Sequence, residues 1–182
     1  RYRALAHQVP GLRVPEVIPE LSTRRVLALS FEEGLSLEAW LATQPAGAQR
    51  ELFARRVLDL YFREFFDWGL VQTDANFANF LFRPSSGELV LLDFGATRAY
   101  PPEFREHYRK LLLASLRGDK ATALTHAEAL GLIHPEETEA CREALHALLG
   151  AVLSAFTPAA QPVDFRSQAF VDEAAARLRV FY

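Results

Sequence analysis

In the stretch QTDANFANFLFRPSSGELVLLDFGATR, residues 72–98, carboxylates and amides stand where two short apolar runs begin and end. Asp74, Asn76 and Asn79 precede Phe80-Leu81-Phe82, and Asp93 follows Leu89-Val90-Leu91-Leu92, with Pro84-Ser85-Ser86-Gly87 between the runs. Two apolar runs joined by such a turn read as a β-hairpin. An arm of about five residues spans roughly 17 Å and the turn brings the chain back, which puts Asn79 and Asp93 at the same end. Asp74, in the loop entering that end, is within reach of both. A carboxylate and an amide oxygen, with a further carboxylate beside them, suit a hard cation. Magnesium takes one or two protein oxygens and leaves its other positions to water and phosphate. Gly95 permits a backbone turn that a side chain would hinder. The chemistry expected of this edge is that of a metal-bound polyphosphate.

The spacing is more specific than the composition. Asp74 to Asn79 reads D-x-x-x-x-N, and Asp93-Phe94-Gly95 follows one hairpin later. That order matches the end of the protein-kinase catalytic loop and its metal-binding D-F-G. A D-F-G tripeptide alone is common by chance; both signals in this order, after a long apolar helix, are a strong match. The bland alternative makes Asp74 and Asn79 turn formers and Asp93 a loop carboxylate.

The elements that must hold this edge can be read outward from it. Upstream, residues 48–68 carry Phe53, Val57, Leu60, Tyr61, Phe65 and Trp68 at helical spacing, and Gly69 supplies the stop. So many rings on one stripe predict a helix packed into a core. Residues 70–72 emerge from it as a brief extended segment. Before the helix, residues 14–21 are proline-punctuated, and RRVLALSF at 24–31 reads as a short strand ending at Glu32-Glu33-Gly34. Ser36 caps a short helix bearing Leu37, Trp40 and Leu41. Downstream the pattern is helical. One helix runs from about Pro102 to Leu116, with Phe104, Tyr108, Leu111 and Leu112 inward and Gly118 closing it. A second, capped by Asp119, stops at Gly131. A third starts near Pro135 and carries Ala144, Leu145, Leu148, Leu149 and Val152. A proline- and alanine-rich loop at 157–163 leads to a last helix from about Ser167. The expected fold class is mainly α with a small β part.

Length and composition agree with one domain or one large lobe: 182 residues, half of them apolar and 24% charged. A formal charge of -3, with no basic stretch, gives no support to nucleic-acid binding. The lone Cys141 excludes an internal disulfide and a cysteine metal site, which fits a reducing compartment. No apolar run approaches the ~20 residues that span a bilayer. His7, His107, His126, His134 and His146 share no metal-ligand spacing and read as surface or packing residues. The chain has no methionine and ends on Val180-Phe181-Tyr182 within a helical pattern, so it reads as a piece of a longer protein, truncated at both ends.

With these motifs in place, the sequence resembles the UbiB/ADCK-like atypical kinases of ubiquinone biosynthesis. QTDANFANF at 72–80 and LLDFGATRAY at 91–100 carry the resemblance, supported by VPEVIPELSTRRVLALSFEEGLSL at 14–37. It covers most of the chain and implies a protein-kinase-like C-lobe, helices around a short catalytic hairpin, at residues 35–182. Residues 1–34 then form the last N-lobe strands and the hinge. The resemblance makes Asp74 the catalytic aspartate and Asn79 and Asp93 the metal ligands. Phe31, Glu32 and Glu33, with Gly34, match the hinge whose backbone meets adenine. It implies ATP and Mg2+ as cofactors, ATPase activity favoured over peptide phosphorylation, and membrane lipid or quinone-biosynthesis proteins as partners of the parent protein. The implied location is cytoplasmic, peripheral at the inner membrane in a bacterium, or the mitochondrial matrix side in a eukaryote.

The residues bear on that activity. Thr73 stands where ordinary protein kinases place the arginine that pairs with a phosphorylated activation loop. Only residues 96–100 separate Gly95 from Pro101-Pro102, and no A-P-E follows, so a peptide substrate is not expected. Ala75 replaces a proline usual in the mitochondrial-type members, and Ser30 a hinge acid. The phosphate-anchoring loop, strand lysine, helix glutamate and KxGQ segment would all precede Arg1, so this chain alone is not expected to hydrolyse ATP. Two other readings stand beside this one. The first is a small-molecule phosphotransferase of the aminoglycoside-kinase kind, disfavoured by the GATR tail. The second is a non-catalytic binding or scaffold module.

Overall fold

The computed structural model describes residues 1–74 and 76–157, together with Asp172 and Ala175. The predicted last helix from about Ser167 and most of the loop before it, like Ala75, lie outside the described residues, although Asp172 and Ala175 are themselves helical. The chain divides into two compact units, Arg1–Tyr100 and Pro101–Tyr182.

In the first unit a short helix α1 (Tyr2–Ala6) leads into β1 (Leu12–Arg13). Residues 14–34 form no regular strand. Ile18 donates to the Ala28 carbonyl at 2.9 Å and Ser30 to the Glu16 carbonyl at 2.8 Å, with isolated bridges at Val17–Leu29 and Thr23–Val26. The expected strand at 24–31 is thus reduced to two points of pairing. Pro15 and Pro19 on the facing segment have no N–H to extend the ladder. Then come β2 (Leu35–Ser36), α2 (Leu37–Ala42) and α3 (Gly47–Phe62). The Ser36 hydroxyl accepts from the Ala39 N–H at 3.2 Å, the cap its position implied.

Helix α3 does not run unchanged to its glycine. Arg63–Trp68 continues it as a π-helical turn, and Gly69 ends it in the left-handed region with φ 61°. Strand β3 (Leu70–Gln72) follows, then the hairpin of β4 (Phe80–Arg83) and β5 (Glu88–Leu91), and β6 (Thr97–Ala99). Among the described residues β1, β5, β4 and β2 form one four-stranded sheet in that order, and β3 pairs antiparallel with β6. β1 runs parallel to β5, a non-local pairing with no local signature. β6 was equally hidden, because all three of its residues are exposed and show no burial pattern.

The core of this unit forms where α2 and α3 meet the hairpin. Trp40 is 1% exposed, with its ring 5.2 Å from Phe53 and 4.5 Å from Phe82. Phe53 meets Phe82 edge-on at 5.5 Å, a geometry aromatic pairs favour. Leu60, Leu89 and Leu91 complete the packing. The hairpin therefore stands on an apolar wall, and its ends project beyond it.

The second unit holds α4 (Pro102–Leu116), α5 (Lys120–Ala129) and α6 (Glu139–Ser154). Leu111, Ala114, Ala123, Leu124, Ala127, Ile133 and Leu145 make its core. Asp119 caps α5 by accepting from the Thr122 N–H at 3.1 Å. The third helix begins later than the sequence reading placed it, because Thr138 accepts from the Cys141 N–H at 3.3 Å and so sets the cap there. Lys120 bridges Glu139 and Glu143, and Arg142 pairs with Glu128 at 2.7 Å. His107 and His126 face one another with their Nδ1 atoms 3.0 Å apart. Burial, then the neighbouring His107 and Lys110, hold the His126 pKa below its usual value.

Candidate active site

The hairpin register decides the geometry of the polar edge. Phe80 faces Leu91 and Arg83 faces Glu88, and one step beyond the ladder the Leu92 N–H donates to the Asn79 carbonyl at 2.9 Å. Asn79 and Asp93 thus leave the same end of the hairpin, as their spacing required. Asn76 accepts from the Ala78 N–H at 2.9 Å and caps a 3-10 turn, Phe77–Asn79, that delivers Asn79 to this position. The Asn79 Nδ2 donates to the Asp74 carbonyl at 3.2 Å and to Asp74 Oδ2 at 3.3 Å. Asp74 and Asn79 are thus in contact, and Asp93 leaves the hairpin end that carries Asn79.

The β3–β6 pair closes the site from behind. Gln72 lies opposite Thr97, and the Thr73 N–H and hydroxyl both donate to the Ala96 carbonyl, at 2.7 and 2.6 Å. The Gln72 Nε2 reaches the Asp93 carbonyl at 3.4 Å. Asp74 and its loop are so tied to the segment after Asp93 by backbone pairing, with Thr73 serving the loop through its hydroxyl.

The exposed carboxylate of Asp93 accepts from the Gly95 N–H through Oδ1 at 2.7 Å. A Cβ on Gly95 would lie 3.2 Å from that oxygen, so the close turn favours glycine. Among the described residues neither Asp93 Oδ2 nor Asn79 Oδ1 meets a donor, and the Asn79 Nδ2 is turned to Asp74. Among the described residues no three His, Cys, Asp or Glu side chains converge as metal ligands. A sparse set of one carboxylate and one amide oxygen fits magnesium, which keeps most of its positions for water and phosphate.

The segment at 30–34 is separate from this edge. Phe31 is 88% exposed. Glu32 is turned away from solvent: Oε1 accepts from the Ser30 hydroxyl at 3.0 Å and Oε2 from Arg83 at 2.7 Å. The Glu33 carbonyl accepts from the Arg83 Nε at 2.7 Å. The structure brings Glu32 and Glu33 to the turn end of the hairpin, with Asn79 and Asp93 at the other.

One residue of this region escaped the sequence reading. Glu64, in the π-helical turn, is fully buried, and accepts from the Tyr2 hydroxyl through Oε1 and from the Gln72 N–H through Oε2 at 3.3 Å. Burial pushes its carboxyl up to about 7, against the lowering effect of those two hydrogen bonds. Burial and Glu64 likewise hold the Tyr2 phenol above its usual range. A signal was present: Glu64 falls between Leu60 and Trp68 in the i, i+4 series of the apolar stripe, an acid on a buried face. Through Gln72 it lies one hydrogen-bonded residue from Asp93.

A helical body around a short hairpin with D-x-x-x-x-N and D-F-G at one end defines a protein-kinase-like fold. Comparison with known proteins agrees. The description "ABC1 atypical kinase-like domain" matches residues 1–127, and the chain belongs to that family. The Danio rerio protein "Atypical kinase COQ8B, mitochondrial" is 33% identical over 168 residues, 92% of this chain and 26% of that protein. Its Rattus norvegicus counterpart is 36% identical over 146 residues, 79% of this chain and 27% of that protein. The Caenorhabditis elegans "Atypical kinase coq-8, mitochondrial" is 34% identical over 148 residues, 79% of this chain and 19% of that protein. The chain thus spans about a quarter of the length of these relatives or less. The solved complex of Mycobacterium tuberculosis Rv3197 with erythromycin shares the fold, with a TM-score of 0.68 and 21% identity over 84% of this chain and 39% of that one.

Proposed function

We propose that this chain supplies the metal and catalytic edge of a UbiB-type atypical kinase or ATPase that uses Mg-ATP and supports isoprenoid-quinone biosynthesis. The observation that carries the reading is the convergence of Asp74, Asn79 and Asp93 at one hairpin end, each with a free oxygen or a partner within the set. Asn79 and Asp93 are the residues that would hold the magnesium ion. A metal held there would supply charge neutralisation for the phosphates of the nucleotide. Asp74, exposed and hydrogen-bonded only to Asn79 among the described residues, is the carboxylate that receives a proton from the attacking hydroxyl or water. Gln72 and Thr73 hold Asp74 and Asp93 in register by their bonds to the 93–96 backbone.

In this reading residues 1–34 are the end of an N-lobe with its hinge and residues 35–182 belong to the C-lobe. The backbone of Phe31, Glu32 and Glu33 meets the adenine base. Residues 97–99 pair straight back onto β3, which supports ATP hydrolysis or a small acceptor over a docked peptide. Among the described residues no helix is long and apolar enough to cross a membrane. Membrane lipid and quinone-biosynthesis proteins are partners of the parent protein. Its place is the matrix side of the mitochondrial inner membrane in a eukaryote, or the cytoplasmic face of the inner membrane in a bacterium.

The test is a titration of Mg-ATP into the chain within its complete coding sequence, wild type and Asp93→Asn. The substitution keeps the shape and the Gly95 contact but weakens the metal ligand, and magnesium-dependent binding is expected to vanish. Unchanged binding would overturn the assignment.

A further inference from the structure

Arg83 ends β4 at the opposite side of the hairpin from Asn79 and Asp93, and nothing in the motifs gives it a role. Its guanidinium nevertheless makes a directed bond from each of its three nitrogens. Nε donates to the Glu33 carbonyl at 2.7 Å, Nη2 to Glu32 Oε2 at 2.7 Å and Nη1 to Glu88 Oε2 at 3.1 Å. Glu88 is its cross-strand partner and is held further by the Ser86 hydroxyl at 3.0 Å. Arg13 of β1 lies 3.7 Å from Glu32 and 3.6 Å from Glu88, so both acids sit between two arginines. The Arg83 side chain is 22% exposed and that of Glu32 8%, which places these bonds where solvent screens them little.

The same segment is pressed on the hairpin by its backbone. Leu35 pairs with Phe82, and a Cβ on Gly34 would sit 2.8 Å from the Leu81 Cβ. Ser30 completes the arrangement: it accepts from the Glu16 N–H at 2.9 Å and donates to Glu32, so each Glu32 oxygen has its own donor. Arg83 thus grips one backbone carbonyl and one side chain of the segment read above as the adenine hinge.

We propose that Arg83 is a positioning residue for recognition of the nucleotide base. It locks the Glu32–Glu33 backbone to the hairpin whose other end carries Asn79 and Asp93, and so sets the span between base and metal-bound phosphates. It also occupies one lone pair of the Glu33 carbonyl, which turns base recognition toward the rest of the 31–33 backbone. The inference rests on the Mg-ATP reading and adds to it a specificity device. A planar fork does this from three separate nitrogens; the donors of a lysine ammonium all radiate from one atom and cannot span acceptors so spread.

The experiment titrates Mg-ATP, Mg-GTP and magnesium tripolyphosphate, which has no base, into the chain within its complete coding sequence. Wild type, Arg83→Met and Arg83→Lys are compared. Arg83→Met is expected to weaken ATP about tenfold, equivalent to ~1.4 kcal/mol, to narrow the preference for ATP over GTP, and to leave tripolyphosphate within twofold. Arg83→Lys recovers little. An ATP affinity unchanged in Arg83→Met, or equal losses for ATP and tripolyphosphate, would overturn the inference. A wild type that binds none of the three ligands overturns the Mg-ATP reading instead, which is a distinguishable failure. If Arg83→Met does not fold by circular dichroism, Glu32→Gln decides: it removes the charge partner with little change of volume and carries the same expectation in weaker form.

Discussion

The two ends of the β4–β5 hairpin share one apolar anchor, Phe82 of β4 packed on Trp40 and Phe53, yet they are built in opposite ways. At the Asn79–Asp93 end the polar atoms are exposed or half-buried and lightly tied, with oxygens left unengaged. At the Arg83 end Arg13, Glu32, Arg83 and Glu88 form one continuous ion network, joined by the Ser30 and Ser86 hydroxyls. The first arrangement suits a place where a ligand completes the coordination. The second suits a place where the protein completes itself. One hairpin can therefore be rigid at one end and receptive at the other.

Substitutions at the two ends should separate function from stability. The largest effect is expected from Asp93→Asn, which removes magnesium-dependent nucleotide binding while shifting unfolding by no more than about 0.5 kcal/mol, as for an exposed surface change. A large loss of stability in that variant would break the contrast. Glu64→Gln tests the buried acid behind the receptive end. With a pKa of about 7 folded against an ordinary 4.5, the folded state binds the proton more tightly. Wild-type stability is then full below about pH 4.5, declines as pH rises toward 7, and levels off above it, a fall on the order of 3 kcal/mol. Urea unfolding at pH 5 and pH 8 should show Glu64→Gln gaining on wild type at the higher pH. A difference independent of pH would remove Glu64 as the cause.

At the Arg83 end the order of effects reverses. Arg83→Met leaves the Glu32 carboxylate with only Ser30 and the more distant Arg13, and a cost of about 2 kcal/mol is expected in urea unfolding. Tripolyphosphate binding should survive it. The smallest effect belongs to Thr73→Val, which removes the hydroxyl bond to Ala96 and keeps the backbone bond: about 1 kcal/mol of stability. Nucleotide binding should change less there than at Asp93. A larger change than Asp93→Asn produces would mean that the loop, and not the hairpin end, holds the site.

Much of this could be read in the chain because the signals were local. Ser36, Asp119 and Gly69 announced two helix starts and one helix end, each through a bond or dihedral within a few residues. Asn79 and Asp93 were placed together by the return of a hairpin, again a short-range rule. Where distant segments decide, the reading lost detail. The strand expected at 24–31 depended on a facing segment whose prolines withhold donors. The helix expected from Pro135 yielded to the Thr138 cap. Glu64 was passed over because a charged residue in an apolar stripe breaks the pattern without naming its partners.

By itself the sequence determined which residue types stand at which spacing, and so the hairpin, the helices and the polar edge at residues 74–93. Those follow from periodicity and from bonds closed over a few residues. Only the tertiary structure decided that β1 joins β5, that Tyr2 reaches Glu64 across the unit, and that Arg83 takes the Glu33 carbonyl. Each of these joins residues far apart in the chain. Such contacts are selected by burial and by the need to satisfy polar groups once the core has formed, and no local pattern encodes which partner will be there.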